Sequence, residues 1–291
     1  MGADFLAQMA LSSQQRLSAA RHRCPESKLL QQAMARRPPP RLQPDPAGFD
    51  LIAEVKLRSP AAGALAEANS DVASRVLAYE RGGAAAVSVL TEPTRFDGAL
   101  DHLQVAADAL QVSSVPVMRK DFLIDPYQLI EARLHGAGGA LIIVRMLSRS
   151  QIDAMLDCAR TLGLFVLLEA FDEQDLELMH AVVASRSPIG AAANPSAPVL
   201  VGVNCRDLSS LQIVPQRLLQ LIDSLPAGLP RVAESGVLCT DDAARVAAAG
   251  YQYALVGSAL MQGGQPETLT AAMLAAGRQA VRGRRQAGGA Q

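Results

Sequence analysis

Eight short apolar runs recur along this 291-residue chain: Leu51–Val55, Ala84–Leu90, Val115–Met118, Ala140–Val144, Leu164–Leu168, Val199–Val203, Arg231–Ala233 and Tyr253–Val256. Their starts lie 22 to 35 residues apart, the length of one strand–helix unit. Between them the spacing turns helical. Asp71 can cap a helix that stops at Gly82-Gly83, and Asp172 opens another with acidic residues on its first turn, where the helix dipole favours them. Asp241-Asp242 opens a further helix that ends at Gly250. Continuous apolar strands alternating with helices require a parallel sheet covered on its outside. Eight such units close into a barrel. The competing architecture, an open doubly wound sheet, advertises a glycine-rich first turn. Here that turn is Lys56-Leu57-Arg58-Ser59-Pro60, with no glycine. The expected fold class is α/β, a single (β/α)₈ TIM barrel with an N-terminal helical extension.

Residues 1–46 read as that extension, closed by Pro38-Pro39-Pro40 and then Pro44 and Pro46. The barrel is expected over 47–278, and 279–291, with Arg282, Arg284 and Arg285, as a frayed, disordered tail. Ser185–Pro198 reads as a flexible insertion before the sixth strand. Hydrophobic residues make up 49% of the chain but aromatic ones only 3%, so Ala, Val, Leu and Ile must fill the core. A formal charge of −1 gives no general attraction to nucleic acid or anionic membranes. Cys24, Cys158, Cys205 and Cys239 are scattered without CxxC spacing, which points to reduced thiols rather than a disulfide framework or zinc site. The first ten residues have no cationic start and no apolar run approaches about 18 residues, so a soluble cytoplasmic protein is expected.

Lysine is scarce. Of 27 Lys and Arg residues, three are lysines: Lys28, Lys56 and Lys120. Arginine stays protonated, whereas lysine can have its pKa lowered until it donates a proton. Lys56 and Lys120 stand at the C-terminal ends of apolar runs, where a barrel keeps its chemistry. The other run ends are polar as well: Glu54, Glu169, Asn204 with Arg206, Glu234 with Ser235, and Gly257 with Ser258. Strand residues two apart share a face, so Glu54 with Lys56 and Asn204 with Arg206 can point into the mouth. Cys205 then points outwards as a small buried hydrophobe. A structural ion pair such as Glu54 with Arg206 would not account for so many polar groups at one end. Gly236, Gly257 and Ser258, after runs seven and eight, fit a phosphate site built on backbone N–H groups. His22, His102, His135 and His180 fall in predicted helices or at their ends and read as solvated.

Seven stretches carry a resemblance: Ile52–Pro60 (IAEVKLRSP), Gly82–Thr91 (GGAAAVSVLT), Arg119–Phe122 (RKDF) with Tyr127-Gln128, Glu131–Arg133, Gly202–Leu208 (GVNCRDL), Glu234–Gly236 and Leu255–Ser258. Over roughly residues 5 to 275 the chain resembles the indole-3-glycerol phosphate synthase family. The resemblance implies a carboxy-lyase of tryptophan biosynthesis. Its reaction closes the ring of 1-(2-carboxyphenylamino)-1-deoxyribulose 5-phosphate, loses CO2 and water, and yields indole-3-glycerol phosphate with no cofactor and no metal. It implies Lys120 as general acid and Glu169 as general base or relay partner, assisted by Glu54. Lys56 and Asn204 would hold the anthranilate carboxylate and polarise the carbonyl. Ser59, Gly236, Gly257 and Ser258 would bind phosphate, Glu234 and Ser235 would line the site, and Arg206 would orient Glu54. Losing hydroxide at neutral pH needs an acid, and a lysine flanked by other cations and partly desolvated can become one. Phe122 would offer an apolar face to the aromatic ring.

The chain departs from the family pattern at Ala61-Ala62, where Ser-Lys is common, at Phe96-Asp97-Gly98-Ala99, where a glycine pair and serine are usual, and at Arg145, where small or apolar residues are frequent. These leave room for a paralogue acting on a related aryl-amino sugar phosphate. A phosphosugar isomerase would pair a cysteine with an aspartate at strand ends, and the first strand end has neither. A non-catalytic scaffold barrel would show eroded site residues. The expected partner is the small phosphosugar-anthranilate substrate, with no nucleic acid or membrane. The chain would be a monomer or weak homodimer, open to association with other tryptophan-pathway enzymes.

Overall fold

A computed structural model describes residues 2–60, 63–65, 71–186, 198–207, 210–262 and 264–288. Among these residues the extension holds two helices, α1 (Gly2–Arg23) and α2 (Glu26–Ala35). Eight parallel strands follow: β1 (Asp50–Val55), β2 (Ala86–Leu90), β3 (Val117–Lys120), β4 (Gly139–Ile143), β5 (Phe165–Ala170), β6 (Val199–Asn204), β7 (Arg231–Glu234) and β8 (Tyr253–Val256). Each pairs with its neighbours in sequence, and β8 pairs with β1. The sheet is a closed barrel, which excludes the open doubly wound alternative. Among the described residues α-helices wrap it: α3 (Val72–Arg81), α4 (Pro93–Phe96), α5 (Leu100–Ala109), α6 (Pro126–Leu134), α7 (Arg149–Leu162), α8 (Glu173–Ser185), α9 (Gln216–Leu221), α10 (Thr240–Ala249), α11 (Ser258–Gln262) and α12 (Pro266–Gly288). None among the described residues is long and apolar enough to cross a membrane.

The helix signals act as read. The Asp71 side chain accepts from Ser74 N at 3.1 Å to start α3, Asp172 accepts from Asp175 N at 3.2 Å to start α8, and Gly250 ends α10 at φ 116°. The third strand starts two residues late because Pro116 has no N–H to give, although its carbonyl accepts from Val87 N at 3.0 Å. The tail expected to be disordered is helical as far as Gly288. Val281 is buried, while Arg278 bonds the Phe49 carbonyl and the Asp50 carboxylate at 3.0 and 2.9 Å, so α12 is tied to the start of β1. Most of the expected insertion, 187–197, lies outside the described residues, as do Ala61 and Ala62.

Strand alternation divides the core in two. Outward residues such as Leu51, Ala53, Val87, Val201 and Cys205 pack against the helices. Inward residues, including Ile52, Met118, Leu141, Phe165, Leu167, Leu200, Val232 and Tyr253, fill the barrel. Gly139 leaves room for the Phe165 ring, which any Cβ there would overlap. Above this apolar plug the inward positions turn polar.

α1 lies across that polar end. The Arg16 guanidinium donates to both oxygens of Asp121 at 2.8 Å, and Gln128 Nε2 donates to Ser13 Oγ at 2.8 Å. The Tyr127 hydroxyl donates towards the carbonyls of Ala20 and Cys24 at 3.0 and 2.8 Å. These bonds set the start of α1, with Phe5 and Leu6, over the barrel mouth.

Candidate active site

Every site residue expected from the sequence lines one cavity at the C-terminal ends of the strands: Glu54, Lys56, Ser59, Lys120, Phe122, Glu169, Asn204, Arg206, Glu234, Ser235, Gly236, Gly257 and Ser258. Cys205 does not; it is buried on the outward face, and burial pushes its thiol up to about 11. The histidines lie on or at the end of helices, where His135 meets the Glu131 carbonyl at 2.8 Å and His180 the Ser224 carbonyl at 2.9 Å.

The charged groups form two linked sets. Lys56 Nζ donates to Glu54 Oε1 at 2.7 Å. Lys120 Nζ stands 3.4 Å from Glu234 Oε2 and 3.9 Å from Glu169 Oε2. Asn204 Nδ2 donates to Glu169 Oε1, while Asn204 Oδ1 accepts from Arg206 N at 2.9 Å. Asn204 therefore orients Glu169. Arg206 does not orient Glu54 by a bond among the described residues: its guanidinium donates to the Leu211 carbonyl at 2.8 Å and acts on Glu54 only through its charge.

Electrostatics correct the expectation for Lys120. Its neighbours are carboxylates, not cations. Burial opposes its charge, but Glu169, Glu234 and Glu54 outweigh that and raise its pKa. Burial likewise opposes ionisation of Glu54, yet Lys56 and Lys120 hold it below the ordinary carboxylate range. Glu234 goes the other way. Burial, then repulsion by Glu169, push it up to about 8 against the pull of Lys120.

Two backbone features sit beside these groups. Ser235 and Gly236 both have left-handed φ, 65° and 72°; for serine this costs on the order of 1–3 kcal/mol, which strained functional loops often carry. Gly257 faces Glu54, so that a Cβ there would overlap Glu54 Oε1 and come 3.2 Å from Lys56 Nζ. We expect Gly257→Ala to raise KM, because displacing Glu54 frees the Lys56 ammonium that it holds; an unchanged KM in steady-state kinetics would show that the pair survives the added methyl group.

The sequence reading named Phe122 but missed the other aromatic residues around it. Phe122 meets Phe5 edge-on at 5.9 Å and 78° and Phe96 at 6.1 Å between centroids. Phe171 also lines the cavity, and the Arg145 guanidinium lies 4.6 Å from its ring centroid while bonding Asp175 at 2.8 Å. Asp121 was visible inside the RKDF stretch, but nothing local signalled its partner 105 residues earlier.

Comparison with known proteins follows the same lines. A sequence model of the family described as indole-3-glycerol phosphate synthase matches residues 6–273. The chain belongs to the indole-3-glycerol phosphate synthase family. An indole-3-glycerol phosphate synthase of Mycobacteroides abscessus is 42% identical over 230 residues, covering 79% of this chain and 78% of that protein. One from Micrococcus luteus is 42% identical over 232 residues, 80% of each chain. Among solved structures, a 3-hexulose-6-phosphate synthase of Salmonella typhimurium aligns at TM-score 0.57 and 13% identity, over 81% of this chain and all of that one. A thiamine phosphate pyrophosphorylase of Pyrococcus furiosus aligns at 0.54 and 11%, over 81% and 98%. At such identity these two speak to the barrel fold alone. The indole-3-glycerol phosphate synthase assignment rests on the family match and the close relatives.

Proposed function

We propose that this chain catalyses ring closure of 1-(2-carboxyphenylamino)-1-deoxyribulose 5-phosphate to indole-3-glycerol phosphate, with loss of CO2 and water. The observation that carries this reading is one cavity lined by two lysines, four carboxyl groups, aromatic side chains and small residues. Phe5, Phe96 and Phe122 suit an anthranilate ring. Ser59, Gly236, Gly257 and Ser258 suit a phosphate at the opposite rim. Lys56 would attract the anthranilate carboxylate. Lys120 would protonate the ketone oxygen as the ring closes; its raised pKa is no obstacle, because the developing alkoxide is a stronger base than an amine. Glu169, oriented by Asn204, would take the carbon proton, and Glu54 would hold Lys56 in place.

Ultraviolet detection of the indole chromophore from that substrate tests the reading, and absence of turnover would sink it. The phosphate rim has its own test. Ser258→Asp puts a negative charge beside the ester and should raise KM about 10–100-fold with kcat nearly kept, the scale of one charge-assisted hydrogen bond. An unchanged KM would move the phosphate elsewhere.

A further inference from the structure

Arg145 departs from the family pattern, and the proposed reaction gives it no task. It stands in a single 3₁₀ turn, Val144–Met146, that follows β4. Its side chain reaches across to the turn between β5 and α8. Nε donates to Asp175 Oδ2 at 2.8 Å, and Nη2 donates to Asp172, the residue that caps α8. The same Asp175 oxygen accepts from Phe171 N at 2.8 Å. The guanidinium carbon also lies 4.6 Å from the centroid of the Phe171 ring. One flat cation therefore secures Phe171 twice, through its main chain by way of Asp175 and through its ring directly. Arginine suits this double task, because its fork is rigid and its face stacks on aromatic rings.

Phe171 follows Glu169 by two residues, so strand alternation turns both to the same side. Its ring is buried in one apolar cluster with Phe122, Leu141 and Ile143, and Met146 of the Arg145 turn packs against that cluster. Phe171 lines the cavity and Arg145 does not, which puts the guanidinium behind the ring. The cavity is apolar on this side, whereas Gly236, Gly257 and Ser258 belong to the loops after β7 and β8. An aryl ring seated on the apolar side meets a phenylalanine that cannot swing away. Without its backing the same ring could turn aside and make room.

We propose that Arg145 sets the substrate range of this site by pinning Phe171 as a fixed wall of the aryl pocket, a role that rests on the ring-closure reaction proposed above. A substrate whose ring carries an added group on that side is rejected. Arg145 is a positioning residue: it acts through Phe171 and touches no substrate. A wall that meets the ring alike before and during ring closure affects KM more than kcat.

The test compares the unsubstituted substrate with its ring-methylated isomers, one for each open ring position, in wild type, Arg145→Met, Arg145→Lys and Phe171→Leu. For the isomer whose methyl group meets the wall, wild type should prefer the parent by about 10–200-fold in kcat/KM, the scale of one methylene in an apolar pocket. Phe171→Leu and Arg145→Met should both narrow that preference at least about 10-fold for the same isomer, chiefly through KM. Arg145→Lys keeps the charge without the fork and should restore part of it. An Arg145 that only holds α8 would lower the unfolding midpoint in Arg145→Met and slow every isomer alike. Unchanged discrimination in Arg145→Met, or a wild type that accepts every isomer equally, overturns the proposal. Binding of free anthranilate and its ring-methylated forms gives a reading without turnover, and the chain has no tryptophan to mask their fluorescence. The same preference should appear in Kd and shrink in Arg145→Met. If wild type shows it but does not turn over the substrate, the reaction assignment falls and the wall stands. If wild type turns over the substrate and no isomer separates it from Arg145→Met, the wall alone falls.

Discussion

Lys120→Arg is expected to lower kcat by about 10²–10⁴-fold while leaving the thermal unfolding midpoint nearly unchanged. The two halves of that expectation have different causes. Glu54, Glu169 and Glu234 surround the ammonium, and an arginine keeps a positive charge among them, so the fold has little to lose. An arginine at neutral pH does not release a proton, so the chemistry loses its acid. Lys56→Arg provides the contrast. Lys56 is tied to Glu54 at 2.7 Å and has the proposed task of attracting a carboxylate, so its replacement should raise KM more than it lowers kcat. Equal losses of kcat in both variants with KM untouched would defeat this division of labour. Near-full kcat in Lys120→Arg would move the acid to a neighbouring carboxyl, Glu234 first, whose pKa burial and Glu169 push up.

The barrel was legible because each apolar run had to be buried on both faces, and eight of them at strand–helix spacing leave few other solutions. The site was legible for a related reason: alternation placed Glu54, Lys56, Asn204 and Arg206 on the inward face, and the closed sheet then brought all eight strand ends to one mouth. What alternation could not carry was contact between strands. It named Lys120 without revealing that carboxylates from β1, β5 and β7 surround it, so the expected lowering of its pKa came out as a rise. It also could not set Arg206 against Glu54, because the Arg206 guanidinium is held by Leu211, a residue with left-handed φ of 60° in the following loop. The tail misled for want of a visible partner. Its arginines read as solvated, but Val281 in the same turn region packs into the core.

Asp121→Asn is expected to destabilise the protein by about 3–5 kcal/mol and to raise KM, because one carboxylate joins the barrel to its roof. Asp121 accepts from Arg16 at 2.8 Å through both oxygens, from Thr91 Oγ1 at 2.7 Å, from Phe122 N at 2.8 Å and from Arg119 at 3.2 Å. The Arg119 side chain is only 1% exposed, so neutralising Asp121 strands a buried cation whose other acidic partner is Glu131 at 3.3 Å. Arg16 is partly exposed and can be rehydrated, so Arg16→Ala should cost less stability but still release α1. Phe5 and Leu6 would then leave the mouth, and weaker binding should follow with kcat better preserved. pH dependence gives an independent reading. Burial opposes the Asp121 charge, but Arg16 and Arg119 overcome it and hold the carboxyl down at about 2, below its ordinary value of 3.8. A depressed carboxyl stabilises the fold above its unfolded pKa, and that contribution fades as pH falls from about 3.8 towards 2. Wild type should therefore lose stability across that window, and Asp121→Asn should lack this component in acid titrations followed by circular dichroism. An Asp121→Asn protein with wild-type midpoint and KM would show that α1 is held by its apolar contacts alone, and that the ion pair across the mouth is incidental.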